Sequence, residues 1–463
     1  MTVTALADII RTQAEILETS LPRHAYTDYH GDKSLSIARS KLLEACDKLN
    51  HLVTGPIECS KTDVMGIAQG HRVHAALQYV CHFRLASHIP ADGTPVAYEE
   101  AARAAGVDTS QCTRVLQLLM TYHIFREPGT RIVAHNRNSR VLLDEDTGAA
   151  VEWLTQESLR SSAFFTEARA KGRRWSTGGS GGGGGGVGVG VGSQQRQATT
   201  TAASAALNIA VEDLDRPAFG FLTQPQHGAT SETSMKADRY ARAMAGMAKR
   251  KQLSPEHLVS GFAWSALPAG ATVVDVGGGS GHCSRAVAAC HPRLRFVVQD
   301  TNAALAEEEE EDEVDVVADD DDRLRREKGE KAEKEASVRF VTYDFFTPQT
   351  VAGDVYLLRR ILHHYSDQDA VRILQAQLCA VRKKPGARIV VMDNIAIHSG
   401  TLSTLEERKT RTLDIAMMAL FNSVERDLED WKELFHKADP GLKLVNVTKP
   451  LGSALAVMEL RLE

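Results

Sequence analysis

Two stretches of this 463-residue sequence carry residues spaced for chemistry. The first is Asp275-Val276-Gly277-Gly278-Gly279-Ser280-Gly281-His282. Glycines let a backbone approach a ligand closely, and a helix opening behind them offers unpaired N–H groups. The spacing discriminates between cofactors. A dinucleotide fingerprint G-x-G-x-x-G counted from Gly277 needs glycine at position 282, where histidine stands. The pattern present is D-x-G-x-G-x-G. Asp300 follows 21 residues after Gly279, at the end of the next apolar run. A carboxylate there can accept both hydroxyls of a ribose. The second stretch is Arg359-Arg360-Ile361-Leu362-His363-His364-Tyr365-Ser366-Asp367, with Asp393 and Glu425 further on. An imidazole with carboxylates nearby is a workable general base: free histidine titrates near ~6.5 and a phenol near ~10. Such a base contributes about 10²–10⁴-fold, and the carboxylate fixes its tautomer and stabilises the imidazolium. By spacing alone, His364 is as available as His363.

These residues need a scaffold, and residues 256–463 alternate strand and helix. Strands are expected at 272–276, 294–300, 338–342, 355–362 and 387–393. Two more, at 442–447 and 454–462, are joined through Pro450-Leu451-Gly452. Ser366 caps a helix, with Asp369 three residues on as an approximate capping box. This alternation argues a doubly wound α/β sheet with an antiparallel edge. Ligands of such sheets lie outside the carboxyl ends of the strands, where the glycine loop, His363 and Asp393 all fall.

The first half reads differently. Residues 1–20 and 35–52 carry apolar stripes near the 3.6 period of a helix, packing on a partner subunit or on their own domain. From 94 to 143 the order is helix (Pro95 to Ala105, ended by Gly106), a second helix capped by Asp108 or Ser110, then a hairpin around Pro128-Gly129. Helix, turn, helix, hairpin is a winged-helix pattern. The second helix offers Arg114 as its only cation, too few for phosphate and base contacts, so dimerisation or structure outweighs nucleic-acid binding.

The domains expected are therefore 1–170, helical and winged-helix-like; 171–206, a low-complexity insertion; 207–255, connecting helices that line a substrate pocket; and 256–463, the α/β domain, interrupted at 303–336. The insertions explain the odd features of composition. Residues 178–192 hold 11 of the 35 glycines, and 307–335 carry a net charge of −10 against −6 for the whole chain. The whole-chain charge of −6 excludes a polybasic binder of nucleic acid by bulk electrostatics, and outside the acidic run the chain is slightly basic at +4. Seven scattered cysteines with no C-x-x-C argue against a disulfide framework. The first residues do not read as a secretory signal, and no apolar run reaches the ~18–20 residues of a membrane span. A cytoplasmic protein is expected, with no membrane and no metal.

Together, Asp275–His282, Asp300, Tyr343-Asp344-Phe345-Phe346, Leu358–Asp367 and the Asp414…Met417-Met418…Glu425-Arg426 stretch resemble the caffeate-type O-methyltransferases that use S-adenosylmethionine (SAM). The nearest likeness is to their fungal branch, which decorates aromatic polyketides and related secondary metabolites. It covers roughly residues 60–170 and 205–463, less the acidic run. The resemblance implies a Rossmann-like SAM domain behind a winged-helix-like dimerisation domain, and a homodimer. It implies transfer of methyl to a phenolic hydroxyl of an aromatic small molecule, with His363, rather than His364, as base. Asp393 and Glu425 would orient His363. Gly277, Gly278, Gly279 and Asp300 would hold the cofactor, Asp344 and Phe345 would flank its adenine, and Arg359 would supply a cation beside it. Asp393 stands where plant members carry glutamate, one methylene longer. Met244, Met247, Met417, Met418 and Phe421 would suit the wall of a pocket for a flat acceptor, since methionine adapts its shape to rings. The alternatives are N- or C-methylation, or a non-catalytic regulator.

Overall fold

The computed structural model describes residues 1–20, 33–54, 64–168, 239–240, 242–247, 249–301, 338–396 and 403–463. The expected glycine-rich insertion 171–206, the acidic insertion 303–336 and residues 207–238 of the connecting stretch lie outside them. The chain divides into two compact units. One comprises Met1–Arg160, Gln226–Met247 and Ile397–Leu413, the other Ser161–Pro225, Ala248–Ala396 and Asp414–Glu463.

In the first unit, helix α1 (Val3–Ser20) packs on α2 (Lys33–Thr54) through Leu17, Leu35 and Ala38. Helix α3 (His71–His82) follows, then strand β1 (Val96–Ala97), α4 (Tyr98–Ala104), α5 (Thr109–Met120), β2 (Arg126–Gly129) and β3 (Ile132–Ala134). The three strands pair in the order β1-β3-β2 and complete the winged-helix pattern. Asp108 caps α5, its carboxylate accepting the Gln111 N–H at 2.9 Å. Cys112, Leu116 and Leu119 share the buried face of α5 and meet Val80, Leu85, Tyr98 and Phe125 in one core. Two details depart from expectation. Val96 and Ala97, read as helix, pair with Val133 and Ile132. Pro128-Gly129, read as the turn, lies within β2, and the chain reverses around Arg131 at φ +61°. Proline is tolerated there because β2 is an edge strand, where a missing N–H costs no ladder bond.

In the second unit, α6 (Glu256–Gly261) precedes β4 (Thr272–Val276), α7 (His282–Cys290), β5 (Arg295–Asp300), β6 (Val338–Thr342) and β7 (Val355–Arg359). Then come α8 (Asp367–Val381), β8 (Arg388–Asp393), α9 (Thr404–Phe421), whose residues up to Leu413 fall in the first unit, α10 (Leu428–Ala438), β9 (Leu442–Thr448) and β10 (Ala456–Leu462). The seven strands are ordered β6-β5-β4-β7-β8-β10-β9. The pairings among β6, β5, β4, β7 and β8 are parallel, while β10 runs antiparallel to both β8 and β9. The antiparallel strand thus fills the place next to the edge, and β9 forms the edge itself.

Residues alternate across this sheet, and both faces are covered. Tyr356 and Leu358 of β7 join Leu374, Leu378, Trp431 and Phe435 on one side. Val355 and Leu357 join Leu258, Trp264 and Val287 on the other. Full burial of each such side chain is worth about 1.5–3 kcal/mol, which is why the strands read as continuous apolar runs. The strand expected to reach Leu362 stops at Arg359, because Arg360 takes φ +55° and turns the chain. From β6 at one edge the chain crosses back to β7 beside β4. Adjacent strands β4 and β7 therefore lead into connections on opposite sides of the sheet, and the crevice opens at their carboxyl ends.

Candidate active site

The loop after β4 is built on glycine. Gly277 takes φ +72°, and a Cβ on it would meet Ile361 Cδ1 at 2.6 Å. A Cβ on Gly278 would meet Asp275 Oδ2 at 2.8 Å. Gly279 has φ +57°, and among the described residues no atom beyond its chain neighbours lies within 4 Å of where its Cβ would stand. The first two glycines are thus required by close protein packing, and the third faces open space. The N–H groups of Gly277 and Gly278 both donate to the Gln299 carbonyl at the end of β5. Gly279 N–H donates to Asp300 Oδ2 at 3.1 Å. Asp275 lies beneath the loop, 2% exposed, and its Oδ2 accepts the Ser284 hydroxyl at 2.7 Å. Burial raises its carboxyl to about 6.

Phe345 borders the same loop, 3.5 Å from the Cβ position of Gly277, and meets Tyr365 edge-on at 5.7 Å. Asp344 is exposed, and its Oδ1 accepts the Phe346 N–H at 3.0 Å. Arg359 donates to the Leu253 carbonyl, and its Nε is buried without a hydrogen-bond partner. A glycine cradle with open space beyond, a carboxylate at the next strand end and an aromatic ring alongside form a donor set that fits a ribose bearing a flat base.

His363 follows β7 in a short 3₁₀ turn, Leu362–His364, and is 2% exposed. Its Nδ1 lies 3.0 Å from Glu425 Oε1 and 3.8 Å from Asp393 Oδ1. Asp393 acts mainly on the backbone, its Oδ2 accepting the His363 N–H at 3.3 Å. The structure therefore brings the three expected residues together with different tasks: Glu425 holds the ring, and the shorter Asp393 holds the main chain. Glu425 is fixed in turn, its Oε2 accepting from Asn394 at 2.8 Å and its N–H donating to Asp414 at 2.9 Å. A carboxylate only accepts, so the Nδ1–H points at Glu425 and the lone pair is left on Nε2. Nε2 is buried with no hydrogen-bond partner among the described residues.

Burial first, then the cations Arg360 and Arg426, hold the His363 imidazole well below its ordinary value. Burial and the neighbouring Glu425 charge raise Asp393 to about 8. Glu425 is raised as well, by burial. The His364 ring lies tilted against His363 with ring centres 4.0 Å apart and against Phe421 at 4.7 Å. Of the expected pocket wall, Met417 and Phe421 are buried at the end of α9, while Met244 and Met247 belong to the first unit. Asn394, Asp414, Ser423 and Arg426 complete the surroundings; Asp414 and Arg426 were expected only as members of the motif that carries the resemblance, with no role, and Asn394 and Ser423 were given none. The available signal was their adjacency to Asp393 and Glu425.

Residues 216–439 match the family model of the O-methyltransferase domain, and residues 65–145 that of the O-methyltransferase dimerisation domain. The chain is 32% identical over 432 residues to the O-methyltransferase VdtC of Byssochlamys spectabilis, covering 92% of this chain and 87% of that protein. It is 30% identical over 435 residues to the O-methyltransferase pgmB of Aspergillus terreus, covering 92% and 85%. To the dual O-methyltransferase/FAD-dependent monooxygenase elcB of Phaeosphaeria nodorum it is 33% identical over 369 residues, 79% of this chain but 34% of that protein. Among solved structures it resembles OxaC in complex with sinefungin and meleagrin, with a TM-score of 0.72 at 20% identity over 100% of this chain and 99% of that one. It also resembles the LepI complex with SAM, with a TM-score of 0.68 at 20% identity over 100% of both chains. At such identities the structural likeness is one of fold. The dimerisation-domain match falls on the winged-helix region, the O-methyltransferase-domain match on the glycine-loop sheet, and VdtC and pgmB align over 92% of the chain, so the chain belongs to the SAM-dependent O-methyltransferase family, with fungal O-methyltransferases of secondary metabolism as its relatives.

Proposed function

We propose that this chain methylates a phenolic hydroxyl of an aromatic small molecule, with His363 as general base. The observation that carries this reading is the buried, unpartnered Nε2 of an imidazole whose Nδ1 is bound to Glu425. SAM, when bound, supplies an electrophilic methyl group. Gly277, Gly278 and Gly279 would cradle it, Asp300 would accept its ribose hydroxyls, Asp344 and Phe345 would flank the adenine, and Arg359 would stand on the cofactor side. His363 Nε2 takes the hydroxyl proton, which leaves the acceptor oxygen as nucleophile. Glu425 balances the imidazolium charge, and Asp393 keeps the His363 main chain in place. Because the imidazole is held well below its ordinary value, it is neutral and ready to accept at pH 7. Burial of the group excludes water from the proton transfer. Holding the acceptor in line supplies much of the acceleration in such a displacement. Met417, Met418 and Phe421 suit a flat acceptor. A base at this position favours an acidic hydroxyl over nitrogen or carbon.

In this reading residues 1–170 serve dimerisation, 207–255 connect, 256–463 carry the chemistry, and the enzyme works as a cytoplasmic homodimer. The dimerisation-domain match at residues 65–145 supports the oligomer. The six described cysteines are free thiols, in keeping with a reducing compartment. Among the described residues no helix is long and apolar enough to cross a membrane. The test is mass spectrometry of products after incubation with SAM and a panel of phenolic polyketides, flavonoids and hydroxyindoles. A single added methyl on oxygen is the expected outcome. Methyl found on carbon or nitrogen would overturn the acceptor assignment, and absence of SAM binding at millimolar concentration would overturn the enzyme reading.

A further inference from the structure

The segment Ser423–Arg426 grips the turn that carries His363 at every level. Ser423 Oγ donates to the His363 carbonyl, and Glu425 binds the ring. Arg426 takes the carbonyls on either side: Nη1 donates to Leu362 at 3.0 Å and Nη2 to Tyr365 at 2.8 Å. The same guanidinium reaches Asp367 Oδ1, at the first turn of α8, through Nε at 3.0 Å and Nη2 at 2.9 Å. Arg426 is 1% exposed and stands 5.2 Å from the ring centre of Trp431. Its own carbonyl accepts the Ala396 N–H at 2.8 Å. A buried guanidinium left without acceptors is costly, and its planar fork serves fixed acceptors that an ammonium cannot serve together.

We infer that Arg426 is a positioning residue for the methyl transfer: it fixes the 362–365 turn so that His363 Nε2 meets the acceptor hydroxyl, and it couples that turn to the start of α8. Ser423, Glu425 and Arg426 then act as one clamp, with main-chain carbonyls 362, 363 and 365 and the imidazole ring as its four points of grip. Arg426 also leaves an electrostatic signature. The imidazole is faced by Glu425 and Asp393, by Arg360, by the adjacent His364 ring and by Arg426, and the Arg426 charge opposes its protonation.

The inference rests on His363 being the base, and the experiment keeps the two separable. In the full-length chain, Arg426→Met is expected to lower kcat by about 10²-fold, the scale of a misplaced reacting group. Affinity for S-adenosylhomocysteine (SAH), measured by calorimetry, is expected to stay near wild type. NMR titration of the His363 ring, assigned by its loss in His363→Gln, should move to higher pH because a cation has gone. Arg426→Lys keeps the charge, so the titration should return toward wild type while kcat stays depressed. A folded Arg426→Met protein with wild-type kcat would overturn the inference. So would a parallel loss of kcat and SAH affinity, which marks general loosening of the domain. Should Arg426→Met not fold, Asp367→Asn decides: its side chain is half exposed, and an unchanged kcat would sink the clamp. Activity retained in His363→Gln would overturn the base assignment, while the ring titration still reports on the clamp.

Discussion

At the scale of the residue, a base in this environment gives up strength to gain readiness. His363 is uncharged across the neutral range because burial, Arg360 and Arg426 all oppose its protonation. Its acid limb in a pH–rate profile should therefore fall well below the ~6.5 of a free imidazole, with a flat rate from there into the neutral range. A limb at or above that value would contradict the environment described. Replacing His363 by Gln is expected to cost about 10²–10⁴-fold in kcat while SAH affinity stays near wild type. His364→Gln should be tolerated far better, since Glu425 addresses the other ring; equal losses in both variants would remove the distinction. His363, Asp393 and Glu425 were legible in sequence because imidazole and carboxylate are recognisable chemistry near strand ends. Arg426 belonged to the recognised motif, but its task and that of Asn394 were not legible, because they arise from contacts with residues 31 to 64 positions away. Nothing in a local pattern announces that an arginine will be buried.

At the scale of the element, the loop after β4 shows how a turn can be specified by what surrounds it. Gly277→Ala must fit a side chain at φ +72° against Ile361. Gly279→Ala meets no protein atom and faces only the backbone cost of a left-handed residue, roughly 1–2 kcal/mol. The first substitution should lower SAH affinity and melting temperature together. The second should lower affinity by more than its small effect on melting temperature, because the open space at Gly279 is where a ligand would lie. Calorimetry with SAH beside thermal denaturation checks both, and the reverse pattern would mean the space does not receive the cofactor. Elements of the sheet were legible because strands buried on both faces carry unbroken apolar runs. The wing was less so. Pro128-Gly129 is a turn signal by local chemistry, and only the position of β2 at a sheet edge permits it inside a strand.

At the scale of the molecule, the carboxyls buried for the site tie its stability to pH. Asp393 titrates at about 8 in the fold, against 3.8 ordinarily. The folded chain therefore retains a proton that the unfolded chain has released. Stability from this group is full below the ordinary value and is lost as pH rises toward about 8. His363 has the opposite sign: its depressed value withdraws stability only as pH falls below the ~6.5 of the unfolded chain. Between those limits Asp393 contributes a downward slope. Asp393→Asn keeps an acceptor for the His363 N–H and removes the titration. Its melting temperature should gain on wild type steadily from pH 6.5 to 8, and curves that stay parallel would refute the assignment.

The position of β10 bears on how the chain reaches this state at all. Strands β4 to β8 can pair among themselves as they are synthesised, but among the described residues β9 has no neighbour other than β10, which is made after it. Until β10 arrives, β8 presents a bare row of N–H and C=O groups, flanked by apolar residues such as Ile389, Val391 and Met392. Vectorial synthesis thus passes through a five-stranded precursor with an open edge. A chaperone, or fast delivery of the closing hairpin, would matter most in that interval.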